Sequence, residues 1–143
     1  MFTFIKSNGF KVNVSLSQKH FLSSDDVINS AIQNKEVLAF DIFYDEVLIG
    51  FAMFKQFAEH QYFLWDYAID VKYQNQGFGF NALCELLKYL ASNYGADTVT
   101  TTYIYDNKHA KYIYEKIGFK EVSLVENKQN KEINMILKLK SQV

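Results

Sequence analysis

The sequence predicts an α/β fold organised around a mixed β-sheet, and three observations carry that reading. Strand-like and helix-like segments alternate in the order strand, two helices, three strands, helix, strand, helix, two strands. The three strands in the middle follow one another through short turns, as antiparallel neighbours do, whereas a helix precedes and a helix follows the next strand. Between the strand-like run Trp65–Val71 and a helix-like run lies Gln74-Asn75-Gln76-Gly77-Phe78-Gly79, a glycine-bearing junction.

The elements follow in chain order. Phe2 to Lys6 reads as a short first strand, and Ser7-Asn8-Gly9 as a turn. Ser15 to Phe21 forms a short helix opened by Ser15 or Ser17. Ser23-Ser24-Asp25-Asp26 opens a second helix, with Val27, Ile28, Ala31 and Ile32 as its apolar face and an end near Asn34. Val37–Tyr44 and Val47–Phe57 are strands joined by the hairpin turn Asp45-Glu46. Tyr62–Val71 is the third of this series, reached through Glu59-His60-Gln61. Phe80–Tyr94 repeats Leu83, Leu86, Leu87 and Leu90 at helical spacing, and Gly95 suits its C-terminal cap. Thr98–Tyr105, dense in β-branched and aromatic residues, is a strand. Asn107–Lys116 is a helix closed by Gly118. Lys120–Val125 and Ile133–Leu139 pair as a last hairpin across Asn127-Lys128-Gln129-Asn130.

At 143 residues the chain fits one domain, 1–143, with enough length to bury a core. Hydrophobic residues make up 49% and aromatics 17%, outside the range of disordered chains. A net charge of −1 gives no reason to expect a nucleic-acid surface. All 15 basic residues are lysines, so any phosphate site rests on backbone N–H groups and lysines rather than on planar arginine clamps. Cys84, the only cysteine, sits among helix leucines and reads as a packing residue. His20, His60 and His109 show no metal-ligand spacing, so no metal site is expected. No leader-like apolar segment or run of membrane-spanning length occurs, which makes a soluble cytoplasmic protein the expectation.

Two glycines at a strand-to-helix junction let backbone N–H groups approach a ligand closely. The helix N-terminus adds partial positive charge, so the spot suits a phosphate or pyrophosphate. A tight turn without a ligand is the other reading of the same residues. No Gly-Lys-Ser/Thr follows Gly79, which excludes a P-loop, and the glycine count does not make a dinucleotide fingerprint.

Gln74, Gly77 and Gly79 match the pattern Gln/Arg-x-x-Gly-x-Gly/Ala. A second signature lies downstream in Asn107, Ala110 and Ile113-Tyr114-Glu115-Lys116-Ile117-Gly118-Phe119. With the element order, these resemble the GNAT family of acetyl-CoA-dependent N-acetyltransferases over nearly the whole chain. Shorter matches resemble the bacterial spermine/spermidine (diamine) acetyltransferases: Gln18-x-x-Phe21, Ile49-Gly50-Phe51-Ala52-Met53 and Trp65-Asp66-x-x-Ile69-Asp70-x-x-Tyr73-Gln74. The resemblance implies a twisted sheet of about six to seven strands with helices on both faces. Its central parallel pair, 62–71 and 98–105, would splay apart to admit the pantetheine arm. Backbone groups of Tyr67, Ile69 and Val71 would meet the pantetheine amides. Gln74 and the N–H groups of Asn75, Gln76, Gly77, Phe78, Gly79 and Phe80 would hold the pyrophosphate, and Asn107, Ala110 and Tyr114 would add coenzyme contacts. The resemblance also implies acetyl-CoA as donor and a small amine such as a polyamine as acceptor. It implies a homodimer touching through Tyr103-Ile104-Tyr105 or the last hairpin. An acetyltransferase for a protein N-terminus or an aminoglycoside, and a non-catalytic acetyl-CoA sensor, are the alternatives on the same fold.

An amine must be neutral to attack a thioester, so a proton leaves an ammonium whose pKa is roughly 10. An acidic residue takes it directly or through water. Asp66 is the candidate, as acid/base or substrate anchor; a hydrogen-bonded structural carboxylate is the competing reading. Asp70, on the same strand face, either joins it or orders the loop before Gln74. Related enzymes often carry a glutamate one or two positions before Asp66, where this chain has Leu64 and Trp65. Trp65 either packs in the core or stacks on a substrate cation. The leaving thiolate needs a proton or hydrogen bond, and the family's tyrosine for that task corresponds to Tyr114. On spacing alone Tyr114 would be helix packing, and Tyr112 faces another direction. Asn107 caps its helix and, by family likeness, also contacts coenzyme.

Overall fold

The computed structural model describes residues 1–126 and 131–139. Its strands are β1 Phe2–Lys6, β2 Val37–Tyr44, β3 Val47–Ala58, β4 Gln61–Ile69, β5 Thr98–Ile104, β6 Lys120–Glu126 and β7 Lys131–Lys138. Its helices are α1 Leu16–Lys19, α2 Asp25–Ile32, α3 Phe78–Tyr94 and α4 Lys108–Ile117. The strands form one mixed sheet in the order β1-β2-β3-β4-β5-β7-β6, antiparallel throughout except for the parallel neighbours β4 and β5. Asp45 and Glu46, both at positive φ, make the two-residue turn between β2 and β3. The last turn, Asn127 to Asn130, lies outside the described residues.

Strand alternation divides the apolar residues between the two faces of the sheet. One face packs Phe40, Ile42, Phe54 and Val99 against Leu83, Leu86 and Leu90 of α3 and Ile113 of α4. Each such buried side chain contributes about 2 kcal/mol by removal of apolar surface from water. The other face packs Ala39, Phe51 and Met53 under Ile28 of α2 and Val12 of the preceding segment. Ser24 opens α2 by accepting from the Val27 N–H at 3.2 Å, and Asn107 opens α4 by accepting from the Ala110 N–H at 3.2 Å.

A β-bulge in β4 breaks the alternation where it matters most. Met53 pairs with Asp66 and Phe54 with Leu64, so Trp65 is an additional residue in β4. Before it, Tyr62 and Leu64 point toward α3; after it, Tyr67 and Ile69 do, while Trp65 packs on the α2 side. The extra residue therefore turns Asp66 away from the α3 core and onto the α2 face. It also marks the place where β4 leaves β5. The parallel ladder runs only from Gln61–Thr98 to Leu64–Thr101. Its last rung is reinforced by the buried Thr101 hydroxyl, which donates to the Leu64 carbonyl at 3.0 Å. Beyond it the two strands splay.

Three sequence expectations are corrected here. β4 ends at Ile69 rather than Val71, because the Asp70 carboxylate accepts from the Lys72 N–H at 3.0 Å and starts a 3-10 turn over Val71–Tyr73. α3 begins at Phe78, two residues before the leucine pattern suggests, since Gly77 at φ +83° turns the chain directly into the helix. Tyr103, expected at a subunit interface, is buried and donates its hydroxyl to Glu121 at 3.1 Å, whereas Tyr105 is exposed.

Candidate active site

The splay between β4 and β5 opens a cavity of about 630 Å³. Trp65, Asp66 and Tyr114 line it, together with Tyr67, Ile69, Gln74, Gly79, Asn107 and Ala110. Val71, Asn75, Gln76, Gly77, Phe78 and Phe80 do not; they belong to the turn and first helical turn beside it.

That turn is shaped as the glycines suggested. The first α3 bond runs from the Asn81 N–H to the Gly77 carbonyl at 3.1 Å, which leaves the amides of Phe78, Gly79 and Phe80 without an intrahelical acceptor. No side chain caps the helix at Gly77. A Cβ on Gly79 would stand 3.2 Å from Ile113 Cδ1, so glycine is what lets the first turn of α3 lie against α4. Tyr67 fastens the same turn to β4, its hydroxyl donating to the Gly79 carbonyl at 2.6 Å. Burial, with Tyr114 and Cys84 adding, pushes the Tyr67 hydroxyl well above its usual range and keeps it a donor. On the outer side Phe78 packs its ring against Phe2, Tyr44 and Tyr73.

The edge of β4 facing the opening carries backbone groups that β5 does not pair. The Asp70 N–H bonds the Ile49 carbonyl of β3 at 2.7 Å, so the Ile69 carbonyl of the same trans peptide points the other way, into the splay. It accepts from Gln74 Nε2 at 2.9 Å and from Gln18 Nε2 at 3.2 Å. Gln74 Nε2 also reaches Gln18 Oε1 at 2.6 Å. Val71 does not extend this edge: it lies in the 3-10 turn and donates its N–H to the Asn13 carbonyl at 2.8 Å. Asp70 takes the loop-ordering role, accepting from the backbone N–H groups of Asn13 and Lys72, each at 3.0 Å.

Asp66 is only 4% exposed. Its Oδ1 accepts from the Ser23 N–H at 2.9 Å, and its Oδ2 is buried with no partner among the described residues. Burial raises its pKa, opposed by the backbone and side chain of Ser23. A buried acceptor left open beside a cavity is the mark of a group that meets a ligand. Tyr114 is buried in α4, and that burial pushes its hydroxyl to about 12; the Thr101 hydroxyl opposes the rise and the Asp66 charge adds to it. Trp65 packs on the α2-side core, as one of its two readings had it, and also lines the cavity.

Sequence reasoning passed over Gln18 and Ser23 as site residues, and Glu132 altogether. Gln18 and Ser23 act only once the α1–α2 segment folds across the end of β4, and the patterns they sit in, Gln18-x-x-Phe21 and the Ser23-Ser24 helix start, say nothing of those contacts. Glu132 lines the cavity from β7. The lining has a charge signature as well: Asp66 and Glu132 are its carboxylates, and no lysine is among the described lining residues.

The sequence and the fold both match known proteins. Residues 13–119 match the acetyltransferase (GNAT) family, and the chain belongs to that family of acyltransferases. The spermine/spermidine N(1)-acetyltransferase of Bacillus subtilis (strain 168) is 28% identical over 116 residues, 76% of each chain. The solved ribosomal-protein-alanine N-acetyltransferase of Escherichia coli superposes with a TM-score of 0.74 at 20% identity, covering 99% of this chain and 97% of that one. A spermidine N-acetyltransferase variant from Vibrio cholerae gives a TM-score of 0.68 at 16% identity, covering 80% of this chain and 72% of the other.

Proposed function

We propose that the chain transfers an acetyl group from acetyl-CoA to a primary amine of a small polyamine. The observation that carries the acceptor class is the cavity itself: two carboxylates, aromatic walls and no lysine among its described lining residues, in a chain with 15 lysines. Such a lining attracts cations and accommodates alkyl chains. The similarity to spermine/spermidine acetyltransferases supports the same choice.

The residues present fit the donor. The open amides of Phe78, Gly79 and Phe80 stand at the N-terminus of α3, where anionic phosphates are favoured without arginine. The edge of β4 at Tyr67 and Ile69, which β5 does not pair and where only the Ile69 carbonyl is taken up by Gln18 and Gln74, offers main-chain partners to an amide-bearing arm. When bound, acetyl-CoA supplies an activated acetyl group. Asp66 Oδ2 accepts the proton that an acceptor ammonium must lose. Its raised pKa makes it a better proton acceptor than an ordinary surface carboxylate. Tyr114 holds a proton on its hydroxyl throughout neutral pH and presents it to the cavity as a hydrogen-bond donor.

The experiment is acetylation of an amine panel containing spermidine, spermine, an alanine-initiated peptide and an aminoglycoside, read as coenzyme A thiol release. Polyamines are expected to give the highest kcat/KM. Turnover of the peptide without turnover of any polyamine would overturn the acceptor; no turnover with any amine, despite coenzyme binding, would leave a sensor.

A further inference from the structure

Glu132 is on β7, opposite Ile104 of β5. Its neighbours Ile133 and Met135 are buried in the α3-side core, so alternation turns Glu132 and Asn134 to the opposite face of the sheet. Asn134 confirms that orientation by meeting the Thr102 hydroxyl of β5 at 2.7 Å. The bulge at Trp65 places Asp66 on this same face. The two carboxylates thus stand on one side of the sheet with β5 between them. Two strand spacings put them about 10 Å apart, and more where the strands splay.

The surface between and around them is mixed, with apolar side chains along part of it. Ile104 and Thr102 form the floor, and Phe21, Phe63 and Trp65 line the same cavity. Lys131, next to Glu132, is turned to Glu126 at 3.3 Å and lies over the Tyr105 ring. Among the described residues no cation pairs with Glu132. Asp66, 4% exposed and with one oxygen unpartnered among the described residues, lines the same cavity.

We propose that Glu132 is a specificity residue: it holds the second cation of a di- or polyamine whose first nitrogen lies at Asp66, with the intervening methylenes across Thr102 and Ile104. This rests on the polyamine reading and adds to it a selection by length. A monoamine or a peptide N-terminus fills the Asp66 end and leaves Glu132 unused. The anchor favours acceptors whose two charges match the distance between the carboxylates.

Glu132→Gln, compared with wild type on spermidine, butylamine and a series of α,ω-diaminoalkanes of increasing length, tests this. The expected result is a KM for spermidine raised about tenfold with kcat within about twofold, and an unchanged kcat/KM for butylamine. The length preference among the diamines should flatten in Glu132→Gln and persist in Glu132→Asp, which keeps the charge. Equal losses on spermidine and butylamine, or no change on either, would overturn the proposal. A failure of the polyamine reading looks different, because wild type would then turn over no diamine at all. Circular dichroism of each variant separates a misfolded chain from a lost contact.

Discussion

The two halves of β4 are built from the same kinds of residue and do opposite things. From Gln61 to Leu64 the strand is paired on both edges, with β3 and with β5, and Tyr62 and Leu64 are core residues. From Trp65 to Ile69 it is paired with β3 alone, its free edge is served by glutamine side chains, and it carries a buried carboxylate with one oxygen unpartnered among the described residues. One inserted residue divides them. The difference teaches that a site can be made from core material by a register change: the first half supplies stability, and the second keeps polar groups that a closed sheet would have satisfied.

The sharpest way to break this comparison is Asp66→Asn, which keeps the shape and removes the charge. Activity on the best amine should fall about a thousandfold in kcat/KM, equal to about 4 kcal/mol of transition-state stabilisation. Stability should move the other way with pH. A carboxyl whose pKa is raised by folding holds its proton more tightly in the folded chain. Wild type therefore loses stability as pH climbs from the unfolded carboxyl range through the raised value. The amide does not titrate, so the variant gains on wild type across that window. Urea unfolding of both proteins near pH 4 and pH 8 measures it. A variant that loses ground at the higher pH would make Asp66 an ordinary structural carboxylate.

The same division explains what could be read from the sequence. The paired half, α3 with its leucine face and the hairpin at Asp45-Glu46 follow local rules of periodicity and turn chemistry, and their places were legible. The glycine junction and the downstream Tyr114 signature gave the family and one wall of the cavity, Gln74, Gly79, Asn107, Ala110, Ile113 and Tyr114. The bulge at Trp65 was not legible, because an extra residue in a strand leaves no mark until its partner strand is known. Nor were Ser23 and Glu132, which reach the cavity from elements distant in sequence. Val71 was misplaced because a β-branched residue after Asp70 reads as strand, whereas the Asp70 carboxylate captures the next turn.

A paired substitution of tyrosines sharpens the comparison with a smaller effect. Tyr114→Phe, in the open region, should lower kcat by about fiftyfold with KM little changed, since the hydroxyl acts as a proton donor. Tyr62→Phe, in the closed half, should leave kcat unaltered. Burial holds Tyr114 at about 12, so its proton is present at neutral pH and lost only as pH rises through that value. Wild-type kcat should thus show no alkaline fall from this group below about pH 10. Equal kinetic losses in the two variants would mean that Tyr114 is only packing.

Thr101→Val tests the boundary itself and should have the smallest effect. Thr101 is 1% exposed and its hydroxyl closes the last rung of the parallel ladder on Leu64. Valine keeps the volume and leaves that carbonyl short of one buried donor, which costs about 1 kcal/mol. In a chain of 143 residues this lowers Tm by about 3 °C. The substitution also removes the hydroxyl beside Tyr114, but it leaves the Tyr114 proton in place and the β3 ladder continues to hold Asp66 opposite Met53, so kcat/KM should change less than about threefold. If activity collapses instead while Tm holds, the rung is part of the catalytic machinery rather than its foundation. The two halves of β4 would then be one cooperative unit, with the bulge marking a bend and not a division of labour.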